Sequence, residues 1–203
     1  FPDAAETRAS TEKIVKESFT APAPALLKRL EQDRAQQLCS LIGKTELTQE
    51  QAAEVVKLSR ESIKYPANGK FTGNWKTGRA LAHNGAGDRI ARGQLEKRKE
   101  NGGLCQNCHA LEPGEINVGN VGPELTAYGA QRGNSEAIAK FTYERIYNAW
   151  AFFPCSNMPR LGASGHLKPE QILDLTGEDD DGDAGGEADG HRIRNEPHEH
   201  AEP

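Results

Sequence analysis

Residues Cys105-Gln106-Asn107-Cys108-His109 read Cys-x-x-Cys-His. At this spacing two thiols can add across the vinyl groups of a c-type haem, and the next side chain, His109, falls under the iron as proximal ligand. A chain built this way must fold around a large, flat, apolar group. Two other chemistries use paired cysteines. Zinc needs a second Cys/His pair at similar spacing, and a thioredoxin-like redox pair needs a flanking βαβ pattern. The remaining cysteines, Cys39 and Cys155, stand alone, and the surroundings read as helix and loop. The expectation is one covalently attached haem c.

Met158 is the single methionine among 203 residues and lies 49 positions after His109, within Pro154-Cys155-Ser156-Asn157-Met158-Pro159. A thioether is a weak ligand that fills the sixth position of His/Met cytochromes and raises the iron's reduction potential. A lone Met is otherwise a core gap-filler. Its neighbours Asn157 and Pro159 disfavour a helix face, so the reading favours His109 and Met158 as the two axial ligands. Trp150, Phe152 and Phe153, just before this loop, either line the haem edge or belong to the core.

Apolar residues make up 35% of the chain and its mean hydropathy is −0.74, lean for a self-sufficient core. A buried haem would supply the missing volume. There is no initiator Met and no apolar run near the roughly 18 residues of a membrane span. The expectation is a mature form without its signal peptide and without membrane insertion. Haem attachment of this kind takes place outside the bacterial inner membrane, which implies a periplasmic location where disulfides persist. Cys39 and Cys155 are then either two buried free thiols or a disulfide, and the reading favours the disulfide.

The formal charge of −5 hides a division. Residues 178–203 hold ten Asp/Glu against two Arg, a net of −8, while residues 1–177 hold 23 Lys/Arg and 20 Asp/Glu, a net of +3. No clustered basic stripe of a nucleic-acid binder is present.

Three segments are expected: a helical extension over 1–66, a cytochrome c domain over 67–177, and an acidic, disordered tail over 178–203. In the first, Leu26, Leu27, Leu30, Leu38, Leu41 and Ile42 recur near helical spacing, with Gly43 as a stop. Thr48 and Gln51 form a capping box for a second helix with Ala52, Val55, Val56 and Leu58 on its apolar face. Residues 66–78 read as a Gly/Asn-rich connector, and 88–100 as a helix. Ser135 caps a helix presenting Ile138, Phe141, Ile146 and Ala149. Pro169 opens a short helix containing Ile172, Leu173 and Leu175. His191, His198 and His200 in the tail read as solvated rather than as a metal site.

In order along the chain these elements resemble the class I cytochromes c. Four stretches narrow the likeness: Ile63-Lys64-Tyr65-Pro66-Ala67-Asn68-Gly69-Lys70-Phe71-Thr72-Gly73-Asn74-Trp75, Asn101-Gly102-Gly103-Leu104-Cys105, Gly119-Asn120-Val121-Gly122-Pro123, and Phe153-Pro154-Cys155-Ser156-Asn157-Met158-Pro159. Together they resemble SoxX, the monohaem cytochrome c subunit of the SoxAX thiosulfate-oxidising complexes. Residues 32–40 resemble the extension of some members, and the likeness covers about residues 20–176.

The resemblance implies an all-α, class I cytochrome c-like haem domain in which the carbonyl of Pro123 accepts from the proximal His. An ordinary Gly/Pro turn is the plainer reading of that stretch. It also implies a role as the electron-transfer subunit of an L-cysteine S-thiosulfotransferase complex. The catalytic haem then sits on a SoxA-type partner, where thiosulfate is joined oxidatively to a cysteine of the SoxYZ carrier protein. This chain has no catalytic residue of its own and passes the electrons to a soluble cytochrome c. The alternative is a free-standing periplasmic class I carrier. A haem sensor or peroxidase would need an open sixth position, which Met158 opposes. One departure stands out: Glu178-Asp179-Asp180-Asp181 replaces the apolar continuation of the family's last helix. That puts in question whether the last helix crosses the first.

Overall fold

The computed structural model describes residues 4–18, 31–40, 46–91, 94–96 and 100–177. Leu26, Leu27, Leu30, Leu41, Ile42, Gly43 and the whole 178–203 tail, with His191, His198 and His200, lie outside the described residues. Among those described, the fold is predominantly helical.

Helix α1 (Ala4–Ser18) is largely exposed, Ile14 included. Helix α2 (Arg34–Cys39) starts at a reciprocal cap. The Asp33 carboxylate accepts the Gln36 N–H at 2.8 Å, and the Gln36 carboxamide accepts the Asp33 N–H at 3.0 Å. Helix α3 (Gln49–Glu61) repeats the device with Thr48 and Gln51, as the sequence indicated. Each such cap satisfies two orphan donors and contributes about 1 kcal/mol. Ala35, Leu38 and Val55 are buried between these helices, joined by Cys39, Leu58, Trp150 and Cys155 in a small core. On α3 the deepest positions are Val55 and Ser59; Ala52, Val56 and Leu58 are half-buried.

The expected connector ends earlier than position 78. Asn74 accepts the Thr77 N–H at 3.1 Å and starts helix α4 (Trp75–His83), so Gly78 sits inside a helix. The last described helix, α7 (Pro169–Leu175), opens on Pro169 as expected and buries Ile172 completely. It crosses α4 at Gly78, where an added Cβ would overlap the carbonyl of Asp174. The Asn74 N–H donates to Asp174 Oδ1 at 2.8 Å, and the Thr176 hydroxyl donates to the Phe71 carbonyl. The acidic sequence that follows Gly177 therefore does not prevent this crossing.

Two sequence expectations are corrected here. Within the expected 88–100 helix the described residues form strands instead: β1 (Arg89–Ala91) pairs antiparallel with β2 (Gln94–Glu96), Ile90 opposite Leu95. In this register Arg89 lies opposite Glu96, and the two side chains pair at 2.7 Å. After the short helix α5 (Tyr128–Arg132), α6 (Glu136–Tyr147) is capped by Ser135, and its buried face is Ala139, Tyr143 and Tyr147, spaced by four. Phe141 is 39% exposed, and Ala149 belongs to the following 3-10 turn (Ala149–Ala151). Tyr143 is admitted to the core because its hydroxyl donates to the Lys64 carbonyl at 2.6 Å, so burial leaves no polar atom unpaired. These tyrosines join Ile63, Phe71, Leu161, Leu167 and Ile172 in the main core.

At Gly78 two effects compete. Helix propensity favours Ala over Gly by about 1 kcal/mol, whereas overpacking against a backbone that cannot rotate aside costs about 1–3 kcal/mol or more. Gly78→Ala should therefore lower the urea midpoint at unchanged slope, and a raised midpoint would show that the crossing can relax.

Candidate functional site

Cys105–Asn107 form a single 3-10 turn, entered through Leu104 in the left-handed region at φ 44. The N–H groups of Cys108 and His109 both donate to the Cys105 carbonyl at 3.0 Å. The two cysteines and His109 therefore project from one tight loop. Cys105 and Cys108 are unpaired and half-buried. Burial pushes the Cys105 thiol up and the neighbouring Cys108 adds to this, against the pull of a backbone hydrogen bond.

Residues 119–125 run alongside this turn. The N–H groups of Gly119, Gly122 and Leu125 donate to the carbonyls of Gln106, Cys108 and Ala110 at 2.9, 2.8 and 2.8 Å. Pro123 O lies 2.7 Å from His109 Nδ1. A carbonyl only accepts, so Nδ1 is the donor in this contact, and Nε2 is the ring nitrogen the contact leaves for another partner. Gly122 packs flat against the same imidazole, and an added Cβ would overlap its ring. Gly122 is a site residue the sequence reading treated only as part of a turn. The clue was its place directly before the proline expected to hold His109.

The second loop carries Met158, half-buried, whose N–H donates to Ser156 Oγ at 3.2 Å. Cys155 is bonded to Cys39, at an S–S distance of 2.07 Å and 116 residues apart. The disulfide favoured from the sequence is thus present. A cavity of about 760 Å³ is lined by Gly102, Gly103, Leu104, Pro159, Leu161 and His166, among others. Leu104 adjoins Cys105 and Pro159 adjoins Met158, but Cys105, Cys108, His109 and Met158 are not themselves among the residues that line it. The aromatic trio divides. Trp150 packs with the small core of α2 and α3, Phe152 stands edge-on to Phe141 at 5.0 Å, and Phe153 is 60% exposed.

Among the described residues, no three or more His, Cys, Asp or Glu side chains gather as a metal-chelating set. A haem iron needs only two protein ligands. One ionic cluster does adjoin the motif. Arg79 pairs with Glu112, and His83 Nε2 lies 2.8 Å from Glu115. His83 Nδ1 meets the Arg79 carbonyl at 2.8 Å. Both ring nitrogens face acceptors, which favours the imidazolium. The Arg79 carbonyl is the largest cause holding His83 above its ordinary 6.5, with Glu115 and Glu112 adding to it against partial burial. Glu112 is held below 4.5 first by Arg79. Burial pushes Glu115 up, but hydrogen bonds from the Leu111 N–H, His83 and the Glu112 N–H outweigh it and hold it below 4.5. The cluster ties α4 to the loop just after His109.

The pH dependence follows from these directions. A raised His contributes fully below 6.5 and is lost as pH rises through its raised value. Lowered carboxylates contribute fully above 4.5 and are lost as pH falls through their lowered values. The tie is strongest between those limits. His83→Gln should flatten the fall in urea midpoint above pH 6.5. Most of the acid limb should remain, because Arg79 and the backbone donors stay in place. A wild-type midpoint that does not fall above that pH would refute the charged assignment.

No protein-family model matches the chain. Over 171 residues it is 35% identical to a protein of Aquifex aeolicus (strain VF5) described as an uncharacterized lipoprotein. The match covers 84% of this chain and 77% of that protein. At this identity and coverage, the chain belongs to the same family as the Aquifex lipoprotein.

Proposed function

We propose that this chain is a class I c-type cytochrome serving as the electron-transfer subunit of a SoxAX-like, thiosulfate-conjugating complex. The observation that carries the haem reading is the contact between His109 Nδ1 and the Pro123 carbonyl, directly behind Cys105 and Cys108. A histidine so held offers Nε2 in a fixed direction, and the carbonyl raises its basicity as a ligand.

A bound haem supplies a one-electron redox couple. The chain's own residues do the rest. Cys105 and Cys108 would hold the group covalently, and His109 Nε2 and the Met158 thioether would be its two protein ligands. With both ligands supplied by protein, the chain would pass electrons without binding thiosulfate. The arm formed by α2 and α3 exceeds what a minimal carrier needs, which supports a subunit reading with a SoxA-type partner, the SoxYZ carrier protein and a soluble cytochrome acceptor. The Aquifex relative is by name a lipoprotein, which supports export of this chain. No helix among the described residues is long and apolar enough to cross a membrane.

Protein matured in a host with c-type haem assembly should give the pyridine haemochrome spectrum of a thioether-linked haem, and Cys108→Ala should lower the yield of linked haem. Met158→Ala should abolish the sulfur-to-iron charge-transfer band of the oxidised protein and lower its potential. If wild type takes up no haem, the cytochrome reading fails; if the band survives Met158→Ala, the ligand assignment fails. Reconstitution then tests the subunit role. The isolated chain should be reducible yet inactive with thiosulfate and carrier protein, and a SoxA-type partner should restore turnover. Activity from this chain alone, or no effect of the partner, removes the subunit reading.

A further inference from the structure

The arm of α2 and α3 grips the Met158 loop at independent points on both sides of the methionine. Three residues before it, Cys155 is bonded to Cys39 at the end of α2. Two residues after it, the Arg160 guanidinium pairs at 2.8 Å with Asp33, the cap of α2. The Arg160 side chain is only 13% exposed and lies over the Trp150 ring at 4.5 Å. Trp150 rests on the arm's own core of Ala35, Leu38 and Val55. Its indole N–H donates at 2.7 Å to the Ser156 carbonyl, inside the loop. The end of α3 holds the preceding turn: Arg60 donates to the Ala151 carbonyl at 3.2 Å, and Asn148 donates to Ser62 Oγ at 2.9 Å. Cys155 itself has φ 61, a left-handed backbone that a side-chain-bearing residue rarely adopts and that these ties maintain.

A thioether is a weak ligand, and a loop free to swing would exchange it for water or another base. Fixing both flanks of the loop opposes that exchange. We infer that the arm is a clamp on the sixth ligand, with Cys39, Asp33 and Trp150 as positioning residues that hold the Met158 thioether in place. This inference rests on the haem reading above. The arm's task is then to set how often the iron loses its sulfur, and so to protect the potential.

Imidazole tests this, because it binds only the form from which Met158 has left. Its apparent affinity for the ferric holoprotein reads the population of that form. Asp33→Asn removes the charge facing Arg160 but keeps an N-cap, since Asn caps as well as Asp. Cys39→Ser/Cys155→Ser removes the covalent tie, and Trp150→Phe removes the indole donor while keeping an aromatic ring. Arg34→Gln, which breaks the Arg34–Glu54 pair within the arm, is the control.

The double cysteine variant should bind imidazole roughly tenfold more tightly, and Asp33→Asn and Trp150→Phe roughly threefold. The sulfur-to-iron band should weaken in the same order. Linked haem content should stay the same, and Arg34→Gln should match wild type. If wild type shows the band and all three clamp variants bind imidazole with wild-type affinity, the clamp is overturned while the haem reading stands. If haem-loaded wild type shows no band, Met158 is not the ligand, and the clamp falls with that assignment while haem attachment stands. Should the double variant fail to fold, the other two still decide the matter.

Discussion

The backbone of Asp174 lies directly against Gly78, and the position of the Cys105–His109 motif depends on that crossing. With α4 and α7 fixed together, their ends become anchors. The end of α4 receives the N–H groups of Gly103 and Leu104 on the carbonyls of Leu81 and Asn84, at 2.9 and 3.1 Å. From the other side, Gln171 of α7 donates to the Asn101 carbonyl at 3.1 Å, and Asn101 donates to the His166 carbonyl at 2.9 Å. His166 Nε2 closes the set on the Gly102 carbonyl at 3.0 Å. The four residues before Cys105 thus hang between two crossed helices, and the motif inherits its position from main-chain geometry.

Three supports then converge on the loops of the site. Residues 119–125 fix His109 through the Pro123 carbonyl and the bare face of Gly122. The ionic group of Arg79, His83, Glu112 and Glu115 holds the loop that follows. The arm holds the Met158 loop through a disulfide, a buried guanidinium and an indole. They differ in sensitivity: the second follows pH, and the third contains a bond that a reductant can open.

Much of this was legible in the residues because it rests on local chemistry. Thr48 with Gln51, Ser135 and Pro169 announce helix starts, since a side chain must satisfy the first free N–H groups. Cys-x-x-Cys-His fixes a turn by its own spacing. The misreadings came where distant contacts decide. The charged residues of 88–100 suit helix or strand, and only the cross-strand register of 89–91 against 94–96 selects the strand. The buried face of α6 was assigned to Phe141 rather than Tyr143, because Tyr143 is buried only on account of the Lys64 carbonyl some eighty positions away. Gly78 and Gly122 read as turn residues. What they provide is absence of volume, which a sequence shows only when the facing partner is known.

That use of absent volume bears on how the protein responds to temperature. At Gly78, Gly119 and Gly122 main chain meets main chain or an imidazole without an aliphatic layer between. A chain with only 35% apolar residues can be close-packed in this way while exposing comparatively little hydrocarbon when it unfolds. Apolar exposure raises the heat capacity of unfolding and peptide exposure lowers it, by about 0.45 and 0.26 cal/K/mol per Å² respectively. The polypeptide's heat-capacity increment is therefore small for its length. Its curve of stability against temperature is broad and shallow, changing little across the range in which a richer hydrocarbon core would pass through a sharp optimum.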